Sequence, residues 1–249
     1  MVYDFSKEVV LVTGAGRGLG RAIAEAFAVS DAAVALGDID KTAVDEAARA
    51  IGKKAHAYTL DVTNAESVQK VIQTIENELG AVSILVNNAG ICGTEQFLEL
   101  DAERWHRTLA VNLTGAFLCM QAVVRGMVQR RQGGKIINIG SLAGRSGGIM
   151  VSAGYSASKA GLAGLTKAAA KQLAQYHINV NCIAPGTLET ELVSGWGAEK
   201  LQGLRKSVPW GRLGTVDDVT GAVLFLASAA AEYITGVTLD INGALYIAP

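Results

Sequence analysis

Apolar residues follow two alternating rhythms along the chain. Short continuous runs such as Val9-Val10-Leu11-Val12-Thr13 give way to longer stretches with helical spacing. A run of that kind, with no polar alternation, predicts a strand covered on both faces, as in a parallel sheet. Such runs fall at 9–13, 33–37, 55–60, 82–86, 135–139, 178–183 and 237–241. Helical stretches lie between them. One runs from a glycine turn to about Val29, others over Thr42–Ile51, from an Asn64 cap to about Leu79, and from Asp101 to about Arg131. The last two run from Gly154 to about Tyr176 and over Val216–Ala227. Regular alternation of strand and helix predicts an α/β fold, a doubly wound, Rossmann-like parallel sheet of seven strands in a single domain. The segment 187–210 is irregular, with Gly195, Trp196, Gly197 and Gly203, and reads as a lid or substrate loop. No interdomain linker and no internal repeat interrupts the pattern.

Bulk properties narrow the partners. Half of the 249 residues are hydrophobic, so a sizeable core is at hand, and the formal net charge is −1. That balance carries no electrostatic footprint for nucleic acid or an anionic membrane. No apolar run is expected to span a bilayer. The segment MVYDFSKEVV lacks the basic-then-apolar form of a signal peptide. Cys92, Cys119 and Cys182 are odd in number and scattered, which predicts reduced, buried thiols. These features point to a cytoplasmic protein acting on a small-molecule substrate. His56, His106 and His177 stand apart from the cysteines, so no metal site is expected.

The candidate chemistry gathers at predicted strand ends. Thr13-Gly14-Ala15-Gly16-Arg17-Gly18-Leu19-Gly20 joins the first strand to the first helix. Glycines there let backbone approach a pyrophosphate, and the helix N-terminus offers free N–H groups. Taken alone the turn is equally a plain tight turn, because its spacing departs from G-x-G-x-x-G. Asp38 follows at about the 20-residue distance of an acid that accepts hydrogen bonds from an adenosine ribose. A carboxylate there repels a 2′-phosphate and favours NAD over NADP, although Arg17 is positioned to draw one in. Asp61, Asn87 and Gly90 also stand at strand ends, where a turn or a loop tie is the alternative role. Asn112 lies inside the apolar stretch LAVNLTGAFLCM, as a satisfied core amide or as a helix distortion that holds water. Ser141 closes the fifth strand, and Tyr155 and Lys159 share one face of the next helix. A phenol has a reference pKa of about 10, and a fixed ammonium lowers it. A hydroxyl from Ser141 would hold the oxygen of a carbonyl or an alcohol.

Taken in order, T-G-x-x-x-G-x-G, N-N-A-G, the helix asparagine, the strand-end serine, Y-x-x-x-K and P-G resemble the short-chain dehydrogenase/reductase family over nearly the whole chain. The resemblance implies strand order 3-2-1-4-5-6-7 and a catalytic tetrad of Asn112, Ser141, Tyr155 and Lys159. It implies cofactor contacts at the glycine turn (Gly14, Arg17, Gly18, Leu19, Gly20), Asp38, Asp61, Val62, Asn88-Ala89-Gly90, Pro185-Gly186, Leu188 and Thr190. Tyr155 and Lys159 would also face the cofactor. By the same resemblance, helices 101–131 and 154–176 pair across a two-fold in a homotetramer. The gap from Ser141 to Tyr155 is one residue longer than the family's usual one, which puts a bulge in the loop 144–152.

The first functional expectation is hydride transfer between NAD(H) and a neutral secondary alcohol or polyol, or the matching ketone. Ile149, Met150, Val151, Leu192 and Trp196 lend the two flanking loops an apolar cast, and Arg145 reads as a solvated loop tip. The alternative is a 3-oxoacyl-thioester (acyl carrier protein) reductase, which Asn242–Tyr246 and Glu189-Thr190-Glu191 resemble. Against it, Tyr176 stands where an arginine would dock a carrier protein, although Arg130 and Arg131 remain available for that role. A third reading, a non-catalytic NAD-binding scaffold, conflicts with the presence of serine, tyrosine and lysine together.

Overall fold

The computed structural model describes residues 3–189 and 197–248. Seven strands form one parallel sheet in the order β3-β2-β1-β4-β5-β6-β7. They are β1 Val9–Thr13, β2 Ala33–Asp38, β3 Ala55–Thr59, β4 Ile84–Asn87, β5 Gly134–Ile139, β6 Ile178–Pro185 and β7 Thr238–Ile241. Their continuous apolar runs have a direct cause. Val10, Val12, Ile84, Val86 and Ile137 enter one core, while Val9, Leu11, Leu85 and Ile136 enter the other. Successive side chains point to opposite faces of a strand, so burial on both faces demands apolar residues at every position.

Helices α1 (Gly18–Val29), α2 (Lys41–Ile51) and α9 (Val216–Ala227) close the first face through Ile23, Phe27, Val44, Val219 and Val223. On the second face lie α3 (Ala65–Glu78), α5 (Gly115–Arg130) and α7 (Ala153–Leu173). Side-chain caps mark several starts. Asp40, Asn64, Asp101 and Ser152 each accept a backbone N–H from the first turn of their helix.

Three expectations need correction. The fourth strand begins at Ile84, because Val82 and Ser83 precede its first ladder pair, Val10 with Ile84. The stretch from Asp101 is not one regular helix. It comprises α4 (Ala102–Leu109), a π-helical turn Ala110–Thr114, and α5. Joined through that turn, Ala102–Arg130 makes a rod long and apolar enough, by length and composition alone, to cross a bilayer, although Cys119, Met120, Val123 and Met127 bury one side of it against the sheet. The supposedly irregular lid contains helix α8, Ala198–Ser207, whose polar surface and internal Gly203 mask its helical spacing. Leu192 and Trp196, expected in the same lid, lie outside the described residues. A short helix α6, Ala143–Ser146, follows Ser141.

Candidate active site

The site is built at the C-terminal edge of β1, β4, β5 and β6. The glycine turn packs tightly there. A Cβ on Gly14 would stand 2.7 Å from Ala89 Cα, and one on Gly20 would strike the Gly14 carbonyl. Asn88 fastens this turn to β4: its side-chain amide donates to Thr13 O and Gly14 O, both at 3.0 Å. The Thr13 hydroxyl accepts the N–H groups of Asn88 (3.1 Å) and Ala89 (3.0 Å). Thr13 therefore belongs to the site as a shaping residue. Only its place at the head of the T-G motif signalled this. Asn87, in contrast, is a core residue, donating to Asn138 within a buried polar pair under the sheet edge.

The arrangement fits a dinucleotide. Nothing lies within 4 Å of a Cβ built on Gly18, which opens α1, and no side chain caps that helix N-terminus. Exposed N–H groups and the dipole of α1 thus face an open cradle suited to an anion. The Asp38 carboxylate lies over the turn. One oxygen accepts Gly16 N–H at 2.9 Å and the other accepts Asp40 N–H at 3.0 Å. Arg17 donates to Asp40 at 2.7 Å, so its guanidinium is turned toward a neighbouring carboxylate. Asp61 does start a turn, with Oδ1 accepting from both the N–H and the hydroxyl of Thr63. Val62 is buried with its side chain against Gly115, which leaves its backbone as the part that would face a nucleotide. Leu19 likewise packs partly into the core.

Farther along the edge, Leu188 bridges to Gly214 through bonds made by Thr187 O and Glu189 N–H. In a parallel bridge that pattern turns the N–H and C=O of Leu188 itself away from Gly214. Pro185 ends β6, its carbonyl accepting Leu142 N–H, and Gly186 donates to Ile241 O. Thr190 lies outside the described residues.

The proposed tetrad comes together around α7. Lys159 is buried and donates to Ile139 O at 2.7 Å, at the end of β5. Its ammonium lies 5.8 Å from the Tyr155 ring centroid. Ser141 stands near the phenol, and its Oγ accepts Ala143 N–H at 3.1 Å. Asn112 sits in the π turn. Its carbonyl oxygen accepts Ile91 N–H at 2.8 Å, and its amide donates to Ile91 O at 2.9 Å and Ser158 Oγ at 3.0 Å. Both readings of Asn112 thus meet in one residue, a satisfied core amide at a helix distortion. The side chain has spent both donors on protein, so its chief work is to tie the loop after Gly90 to α7. Cys119 and Cys182 are buried free thiols, whereas Cys92 is half-buried beside this cluster.

The electrostatics revise one expectation. Tyr155 is pushed up to about 12, by burial first, then by the Cys92 charge, against a smaller pull from Ser141. Burial pulls Lys159 down to about 8, and Cys182 and Cys92 act against that pull. Desolvation outweighs the ammonium expected to depress the phenol. A protonated phenol next to a cation that titrates near neutrality is a proton donor in waiting.

Comparison with known proteins agrees with this geometry. A family model described as enoyl-(acyl carrier protein) reductase matches residues 14–245. The 3-oxoacyl-[acyl-carrier-protein] reductase FabG of Vibrio cholerae is 41% identical over 240 residues, covering 96% of this chain and 98% of the relative. The protein of the same name from Escherichia coli is 39% identical over 244 residues, covering 98% and 99%. Among solved structures, a short-chain type dehydrogenase/reductase from Mycobacterium marinum superposes with a TM-score of 0.94 at 36% identity, covering 99% of this chain and 98% of its own. A Brucella melitensis structure described as a short-chain dehydrogenase/reductase, glucose/ribitol dehydrogenase, gives 0.93 at 30% identity over the full length of both chains.

Proposed function

The chain belongs to the short-chain dehydrogenase/reductase family and is an oxidoreductase, and we propose that it reduces the keto group of a 3-oxoacyl thioester with NADH. The observation that carries this reading is the full-length identity of about two residues in five to 3-oxoacyl-[acyl-carrier-protein] reductases. It displaces the secondary alcohol or polyol from first place. Asp38 supports NADH over NADPH, because a carboxylate beside the ribose opposes a phosphate there. NADH, when bound, supplies the hydride for the keto carbon. The protein's own residues do the rest. Ser141 hydrogen-bonds the keto oxygen and steadies the charge that develops on it. Tyr155, held protonated by its surroundings, donates the proton to that oxygen and leaves an alcohol. Lys159 supplies positive charge beside the resulting phenolate and is held there by Ile139 O. Asn112 keeps the backbone around Ile91 in place. We place the activity in the cytoplasm and the protein in a homotetramer.

One feature favours a small thioester over a protein-bound one. Of the two arginines available for docking a carrier, Arg130 is committed to Glu76 at 2.8 Å, which leaves the exposed Arg131. The likeness to a structure described as a glucose/ribitol dehydrogenase favours the second reading, oxidation of a polyol. A panel of acetoacetyl-coenzyme A, an acetoacetyl carrier protein, ribitol, glucose and cyclic alcohols, each with NAD(H) and NADP(H), separates them. We expect the largest kcat/KM for acetoacetyl-coenzyme A with NADH. Turnover confined to polyols, or only with NADPH, would overturn the respective assignment.

A further inference from the structure

Arg145 is not a solvated loop tip. From β5 the chain passes Gly140 and Ser141 and then folds into a single turn. Gly144 N–H donates to Ser141 O at 3.0 Å, Arg145 N–H to Leu142 O at 2.8 Å, and Ser146 N–H to Leu142 O at 3.0 Å. Because Ser141 is the first residue of this turn, any rotation of the turn moves its hydroxyl. Besides the backbone bond from Leu142 N–H to Pro185 O at 2.8 Å, two contacts on opposite sides oppose that rotation. On one side the turn lies directly on α7, where a Cβ on Gly144 would stand 2.6 Å from the Lys159 carbonyl carbon and 2.7 Å from Ala160 N. On the other side the Arg145 guanidinium reaches across the end of β6 to Asp240 on β7. Its Nε donates to one carboxylate oxygen at 3.1 Å and a terminal nitrogen donates to the other at 3.3 Å. Both side chains are about four-fifths buried. Such a fork fixes orientation as well as distance.

The tail completes the clamp. The guanidinium stands 5.8 Å from the Tyr246 ring centroid. Tyr246 is in turn pinned by Asn242, which donates to Tyr246 O at 3.1 Å and accepts Tyr246 N–H at 3.3 Å. Asn242 itself packs against Gly186 at the end of β6. A continuous set of contacts therefore joins the C-terminal strand and tail to the turn that presents Ser141.

We propose that Arg145, held by Asp240 and Tyr246, is a positioning residue that sets the Ser141 hydroxyl against the substrate oxygen. The inference rests on the assignment of Ser141 and Tyr155 to catalysis. Gly144 seats the turn on α7 and Leu142 N–H holds its start to Pro185 O on β6, and the side-chain pair alone ties its far end to β7. Loss of the fork leaves α7, and hence Tyr155 and Lys159, in place.

The test is a double-mutant cycle read by single-turnover kinetics with NADH and acetoacetyl-coenzyme A, or whichever substrate of the panel is turned over. Arg145→Met and Asp240→Asn should each lower the rate about ten- to a hundredfold, with NADH affinity unchanged by fluorescence titration. In a Ser141→Ala background, Arg145→Met should cost nothing further, because coupled residues are not additive. The paired variant Arg145→Met/Asp240→Leu removes both charges and guards against a fold failure caused by an unpaired buried carboxylate. It should show the same loss and the same non-additivity. Equal losses with and without Ser141, or a native rate in Arg145→Met, would overturn the proposal. An undiminished rate in Ser141→Ala itself would instead overturn the assignment on which it rests.

Discussion

At the scale of single residues, the site separates groups that react from groups that hold them. Among the described residues Tyr155 is the acid proposed to meet a keto oxygen with Ser141, and positioned general acids contribute about 10²–10⁴ in rate. Tyr155→Phe should therefore lower reduction by about a thousandfold while NADH still binds, as stopped-flow rates and fluorescence titration would show. The two shifted pKa values give the pH dependence its sign. Tyr155, at about 12, stays protonated through the neutral range, so it does not limit reduction there. Lys159, at about 8, is charged below that pH and neutral above it. The reduction rate should be flat from about pH 6 to 7.5 and fall as pH rises through about 8. Alcohol oxidation, which needs the phenolate, should rise with pH over the same range. A level reduction profile from pH 7 to 9.5 would show that the Lys159 charge is not required. Asp38 sets the cofactor. Asp38→Asn removes the charge and keeps an acceptor oxygen for only one of the Gly16 and Asp40 N–H groups, so the NADPH-to-NADH ratio of kcat/KM should rise on the order of tenfold, or 1.4 kcal/mol.

At the scale of elements, Asn112 shows why a helix is bent where it is. The π turn Ala110–Thr114 puts its side chain across the gap to Ile91 and Ser158, where it makes three hydrogen bonds. At about 1 kcal/mol each, net, Asn112→Ala should cost about 3 kcal/mol in urea unfolding and lower Tm by about 6–12 °C. A loss below about 1 kcal/mol would mean that water replaces the amide at no cost. The element level is also where the sequence was most and least readable. Apolar runs such as Val9–Thr13 announce buried strands, and Asn64 announces a helix start, because both signals are local. The candidate catalytic residues were legible for the same reason: Tyr155 and Lys159 lie one helical turn apart, and Ser141 follows the end of a strand. The partners of Arg145 were not legible, because Asp240 is 95 positions away and only the sheet order brings it alongside. The depression expected at Tyr155 failed likewise, since burial depends on the whole surroundings and the Lys159 charge does not.

At the scale of the whole molecule, the central strands are covered on both faces, yet two of the covering helices keep outer faces that water does not explain. Phe117 on α5 is 43% exposed, although the outer positions of a surface helix are usually polar. On α7 the exposed positions include Ala160, Gly164 and Ala168, small enough for another helix to approach closely. Gly164 is the informative one. A Cβ built there meets nothing within 4 Å, so the chain has no internal use for its smallness. If these faces join subunits in the proposed tetramer, light scattering should give four times the chain mass for the native protein. Gly164→Arg should lower that mass to two chains or one. Within a single chain the same substitution should be harmless, since replacing an exposed helical glycine gains about 0.5–1 kcal/mol of helix propensity. A smaller assembly with a lower, concentration-dependent Tm would therefore report lost association rather than a damaged fold. A variant that keeps its mass and gains a few degrees in Tm would instead place this face of α7 in solvent.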